Sequence, residues 1–154
     1  MIGEKYPGFA ALSAFVFLFV MAASASCRRA EFSGVMPMQV EVDVYSGRPN
    51  PRWDLSAQQA GEFLKMVRAL PKAEHDSALN EGLGYRGLKV TGSALSQEGY
   101  KEIVISNGIV AVREESGSQQ LTDKDRALER WLLQTGKGKL EEELYKYLSE
   151  ETLK

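Results

Sequence analysis

The chain predicts a single α+β domain, a mostly antiparallel sheet with helices packed on it, in the order β-α-β-β-β-α-α. Three observations carry this reading. Met38 to Tyr45 alternates, with Val40, Val42 and Val44 on one face and Glu41 and Asp43 on the other, the period of a half-buried strand. Asn107-Gly108 separates the β-rich runs Tyr100 to Ser106 and Ile109 to Glu114, and a type I′ hairpin turn needs two residues tolerant of positive φ. Apolar residues recur at helical spacing in Ala60, Phe63, Leu64, Val67 and Leu70, the stripe of a helix lying on a core. Hairpins, with helices gathered on one face, argue α+β rather than alternating α/β.

The remaining elements follow in order. Ser46 to Trp53 is a rigid loop. Ser56 with Gln59 three residues on is a capping-box pattern that starts the first helix, and Pro71 stops it. Lys72 to Gly82 is polar and reads as loop, and Tyr85 to Thr91 as a strand. Thr122 with Asp125 opens a second helix carrying Ala127, Leu128, Trp131 and Leu132, ended by Gly136. Leu140, Leu144, Tyr147 and Leu148 give a last amphipathic helix. Trp53, Phe63, Val67, Leu128 and Trp131 are expected in the core or at its edge.

The composition sets the outer limits. With 154 residues, 44% apolar and 26% charged, the chain holds enough for one real core. Its 19 Lys+Arg are outnumbered by 21 Asp+Glu, which disfavours a nucleic-acid partner. One cysteine and one histidine provide no Cys/His metal cluster and no internal disulfide, so no metal or other cofactor is expected.

The N-terminus reads as an address. Phe9 to Ala25 is an uncharged run of 17 residues preceded by Lys5 and followed by small residues, the layout of an export signal. Seventeen residues is also the lower limit for spanning ~30 Å of hydrocarbon, and Arg28-Arg29 resists translocation, so an uncleaved anchor stays open. Ala23-Ser24-Ala25 fits an ordinary signal-peptidase site. Ser24-Ala25-Ser26-Cys27 resembles the lipobox of bacterial lipoproteins, departing from it at Ser24, where that motif has an aliphatic residue. That resemblance implies lipid attachment at Cys27 and a membrane association through it. The expected layout is residues 1–26 as signal, 27–37 as tether and 38–150 as globular domain, in the bacterial cell envelope. Translation from Met36 or Met38 would instead leave a cytoplasmic domain.

Motifs of catalysis are weak. Gly82-Leu-Gly84-Tyr-Arg-Gly87 matches G-x-G-x-x-G, but that motif works only between a strand and a helix N-terminus, and here a polar loop precedes it and a strand follows. His75, beside Asp76, is the lone imidazole in a polar loop. Glu41 and Asp43 lie on one strand face, roughly 7 Å apart by strand rise, a pair that could bind a cation, do acid–base work, or form a solvated strand face paired with Arg48 or Arg52.

The block Ser46-Gly47-Arg48-Pro49-Asn50-Pro51-Arg52-Trp53 is the most unusual segment. Each proline pushes the residue before it toward extended conformations. The result is a stiff loop expected to hold Arg48 and Asn50 outward as binding groups, with Arg52 as a weaker neighbour and Trp53 folding back as an anchor. Ser-Gly-Arg-Pro-Asn-Pro-x-Trp after a strand, with Leu83-Gly84-Tyr85-Arg86-Gly87-Leu88 later, resembles a family of small uncharacterised bacterial proteins over about Val40 to Val90. The resemblance implies a fold unit and no activity. The expected function is an envelope-associated binding or interaction module, its partner a protein or a small acidic ligand. The alternative is an envelope hydrolase using Glu41, Asp43 or His75.

Overall fold

Alternation in Met38–Asp43 becomes strand β1, whose Met38, Val40 and Val42 are completely buried while Gln39, Glu41 and Asp43 face outward. The computed structural model describes residues 37–75, 77–79 and 82–154. The signal, both cleavage sites, Cys27, nearly all of the tether, and Asp76 lie outside the described residues. After β1 come β2 (Arg52–Asp54), α1 (Ala57–Ala69), β3 (Gly87–Gly92), α2 (Ser93–Gln97), β4 (Tyr100–Ser106), β5 (Ile109–Glu114) and β6 (Ser118–Thr122). A 3₁₀ turn (Lys124–Arg126) then leads into α3 (Ala127–Thr135) and α4 (Glu142–Glu151).

The strands form one six-stranded sheet in the order β2-β1-β3-β4-β5-β6, and every pairing is antiparallel. Alternate residues Val40, Leu88, Ile103, Ile105, Val110 and Val112 form one side of a continuous core. Phe63, Leu64 and Val67 of α1, Leu128 and Leu132 of α3, and Leu148 of α4 form the other. The fold is therefore the expected α+β domain. Trp53, Phe63, Val67 and Leu128 are buried, and Trp131 packs at the edge of the core.

Local signals act as their chemistry requires. Ser56 accepts from the Gln59 amide while the Gln59 side chain accepts from the Ser56 amide, a complete capping box. Asn107 and Gly108 carry φ of 50° and 78° between the paired Ser106 and Ile109, a type I′ turn. Gly87 opens β3 at φ 135°, and a Cβ there would meet the Ile105 carbonyl oxygen at 2.5 Å. The last glycine of the G-x-G-x-x-G pattern thus serves close strand packing.

The element order is richer than β-α-β-β-β-α-α. The loop Ser46 to Trp53 ends in β2, so it closes a hairpin onto β1 instead of leading straight into α1. β6 has only Leu121 to bury and exists because β5 and the chain after α1 pair with it on both sides. Lys72 bridges Leu121, Ala73 N–H donates to Gln120 O (2.9 Å), and Thr122 N–H donates to Pro71 O (2.9 Å). α2 is one short turn between β3 and β4. The second helix does not open at Thr122 and Asp125: Thr122 ends β6, and α3 starts at Ala127.

The cap of α3 comes from Asp123, nearly fully buried, whose two carboxylate oxygens accept from the amides of Leu128 (2.9 Å) and Glu129 (3.0 Å). To reach this arrangement Asp125 and Arg126 adopt left-handed φ of 56° and 53°, at roughly 1–2 kcal/mol each for residues with a Cβ. The conformation aims Arg126 at Glu129, which is fully buried. Arg126 Nε and Nη2 donate to Glu129 at 2.8 and 3.0 Å, and Arg126 Nη1 donates to the Glu151 carbonyl at 2.7 Å. The Tyr85 hydroxyl also donates to Glu129 at 2.6 Å. Burial, and then the Glu129 charge, push the Tyr85 phenol far above its ordinary range, so it remains a donor.

Removing one partner of this cluster strands a buried charge. Glu129→Leu is expected to cost about 3 kcal/mol or more, while Arg126→Met/Glu129→Leu together should cost clearly less than the sum of the two single changes. Urea unfolding followed by tryptophan fluorescence measures both. Simple additivity would show that the two residues contribute separately.

Candidate functional site

Asn50 organises the β1–β2 turn. Its Oδ1 accepts from the amides of Val44 (3.2 Å) and Tyr45 (2.9 Å), and its Nδ2 donates to Glu41 (3.1 Å) and Asp43 (3.3 Å). The amide expected to face a ligand is thus spent inside its own hairpin. The chain turns at Gly47 (φ 84°), and Pro51 O accepts from Val42 N–H at 3.0 Å, resuming the ladder. Between them Arg48 lays its guanidinium over the Tyr45 ring, 3.5 Å from the centroid. Stacking of this kind orients the planar fork and leaves its edge donors available. Arg48 is exposed and, among the described residues, makes no ion pair.

Arg52 differs, since its guanidinium is 2.6 Å from Glu41. Asp43 is held by Arg86, on the strand-proximal end of the connection leading into β3. Arg86 above all, with smaller help from Asn50 and Lys89, keeps the Asp43 carboxyl below its ordinary value of 3.8. The same outward face carries Lys89, 3.8 Å from Glu102, and Arg113, 2.9 Å from the other Glu102 oxygen. Glu41 and Asp43 therefore belong to a field of paired charges across the sheet. His75 is exposed in the connection after α1 and lies in no helix or strand.

The loop does not stand alone. Trp53 is buried, and its indole Nε1 donates to Thr135 Oγ1 at 2.8 Å, which in turn donates to Leu132 O at 2.6 Å. Gly136 lies against the indole so closely that a Cβ would sit 3.0 Å from the ring. This clamp draws the α3–α4 connection beside β2, where Lys139 Nζ donates to Asp54 O at 2.8 Å. A cleft of about 360 Å³ results, with Tyr45, Arg48 and Arg52 on one wall and Lys139, Leu140 and Leu144 on the other. Three cations face it against Glu141. The sequence marks the first wall. Lys139 and Leu140 carry no signal that places them opposite, because their position follows from a contact 82 residues apart in the chain.

No three or more His, Cys, Asp or Glu side chains gather as a metal site among the described residues. The described helices include none long and apolar enough to cross a membrane.

Two outcomes follow from these contacts. Asn50→Asp removes both donors and places a third carboxylate beside Glu41 and Asp43. It should destabilise the fold by about 1–3 kcal/mol at neutral pH, and by less at acid pH once carboxylates protonate, as thermal melts across pH would read. For Asp43 the folded value is lowered, so its stabilising contribution is present above 3.8 and is lost as pH falls through the folded value. Arg86→Met should accordingly lower stability at pH 7 more than at about pH 2, and an equal loss at both would show that the contribution is not ionic.

Comparison of the chain with protein-family models, curated proteins and solved structures finds no match.

Proposed function

We propose that the protein is an envelope-associated binding module whose cleft between the Ser46–Pro51 loop and the α3–α4 connection receives an acidic group of a partner protein or small ligand. The carrying observation is the Arg48 guanidinium, stacked on Tyr45 at 3.5 Å and free of any ion pair among the described residues. A planar fork of donors matches a carboxylate or phosphate. Lys139 adds charge across the cleft. Two prolines and the Asn50 bonds hold the loop before binding, so little ordering entropy remains to be lost. Asn50 contributes as the brace of the loop, and Arg52 as a neighbour already engaged by Glu41.

The address is part of the same proposal. Export through the N-terminal signal, with lipid attachment at Cys27, would place this cleft at a membrane in the envelope. Mass spectrometry of the natively expressed protein tests it, and an unmodified start at Met1, Met36 or Met38 would refute it. The hydrolase reading has less support. Arg52, Arg86 and Asn50 occupy Glu41 and Asp43, and Asp43, held ionised, is a poor general acid.

Inorganic phosphate titrated against the ¹⁵N-labelled domain should shift amides of the 45–52 loop and of 139–144. Arg48→Lys keeps charge but loses the fork, so it should weaken phosphate binding several-fold with thermal stability nearly unchanged. A loss of more than about 2 kcal/mol of stability, beyond the usual range for a surface change, would make Arg48 an internal brace and move the site elsewhere.

A further inference from the structure

Leu140 lines two hollows. One is the Arg48 cleft, and the other, about 540 Å³, lies between the α3–α4 connection and one side of α4, at Lys137, Tyr145, Lys146 and Ser149. Their chemistry differs. The first is walled mainly by polar groups, with Arg48, Arg52 and Lys139 against Glu141; the second exposes mostly apolar surface, although Lys137, Lys146 and Glu142 also line it. Glu142, Tyr145, Lys146 and Ser149 repeat at helical spacing on α4, so this hollow runs along the helix away from the cleft. Leu144 and Tyr145 pack against the edge of the core and Leu148 lies within it, and Tyr145 also lines the second hollow.

We infer that the two hollows form one bipartite site for a single-chain amphiphilic anion, with a phosphate or carboxylate head at Arg48 and an aliphatic tail across Leu140 against Tyr145. This rests on the acidic-group reading of the Arg48 cleft and adds the class of ligand. Charge complementarity argues for it: Arg48, Arg52 and Lys139 face the first hollow against the single carboxylate Glu141, so the anionic head belongs there, and the mostly apolar surface of the second is left for the tail. Apolar wall beside a charged fork is wasted on inorganic phosphate, whereas a tail gains by leaving water. The occupant proposed is a monomeric amphiphile and not a bilayer, because each hollow is a concave site of small-molecule size.

Calorimetric titration of the protein with inorganic phosphate, hexyl phosphate and octyl phosphate, all below micelle formation, tests it. Affinity should rise by up to about fourfold per added methylene, and octyl phosphate should shift amides of both hollows in ¹⁵N spectra. Octanol should bind far more weakly than octyl phosphate. Tyr145→Ala, with its fold confirmed by an unchanged melting profile, should cut the preference for octyl over inorganic phosphate by tenfold or more. If that variant misfolds, the chain-length series and the amide shifts of the unaltered protein still decide. Phosphate binding with no gain along the series would overturn the bipartite site and leave the Arg48 cleft standing. Absence of binding by every phosphate would overturn both. Equal binding of octanol and octyl phosphate, or capture by vesicles of anionic phospholipid without binding of monomeric octyl phosphate, would also overturn the inference.

Discussion

A carboxylate with no exposure to water sets the terms for the C-terminal half of this fold. Glu129 can be buried only because Arg126 meets it with two nitrogens and Tyr85 with a hydroxyl. Each donor comes with a structural demand. Arg126 must enter from a left-handed turn, so the chain between β6 and α3 is bent at Asp125 and Arg126. Tyr85 must reach inward from the connection preceding β3. The remaining Arg126 nitrogen is satisfied by the Glu151 carbonyl at the end of α4, which ties the last helix to the start of α3. Ion pairs of this kind gain little net energy over apolar packing, but they tolerate few alternative arrangements. Removing one partner leaves the other polar group buried without it, so packings that separate the three are disfavoured.

The candidate site depends on a second linkage, running from Asn50 through β2 to Trp53. Asn50 holds the turn by bonding two backbone amides on one side and two carboxylates on the other. β2 is too short to be stable by itself, and the buried indole of Trp53, bonded to Thr135, secures it to the end of α3. The same contact places Lys139 and Leu140 opposite Arg48. Asn50 thus sets the loop wall of the cleft and Trp53 the facing one, and the loop's stiffness is shared by the helical connection it faces.

What could be read from the sequence follows the range of the interactions involved. β1, the Asn107-Gly108 hairpin and the Ser56–Gln59 capping box depend on residues a few positions apart, and all appear as expected. The core residues Phe63, Val67 and Leu128 follow from helical periodicity. β6 does not, because Ser118–Thr122 is polar and its strand character comes from partners on both sides. β2 was concealed by Pro49 and Pro51, whose restriction of the loop gives its stiffness but not the direction of its side chains. Asn50 therefore reads as outward in sequence, whereas its amide bonds within its own hairpin while the residue still lines the cleft. Glu129 looks like an ordinary charge on an amphipathic helix, and only Arg126 three residues earlier hints at a partner.

The allocation of charge connects these features. Across the sheet's outer face, Arg52, Arg86 and Arg113 each meet a carboxylate from another strand or connection, and Arg126 meets one in the interior. Such pairing spends the carboxylates of Glu41 and Asp43, which in sequence resemble a catalytic pair. Arg48 belongs to the same hairpin, yet its partner is an aromatic face. A ring neutralises no charge and blocks only the plane of the guanidinium, so the donors at its edge retain their capacity for an anion. The hairpin therefore separates two uses of arginine: Arg52 holds the sheet's charge pattern together, while Arg48 is oriented without being consumed. That separation is what makes the cleft, rather than the carboxylate-bearing sheet face, the chemically open surface of the domain.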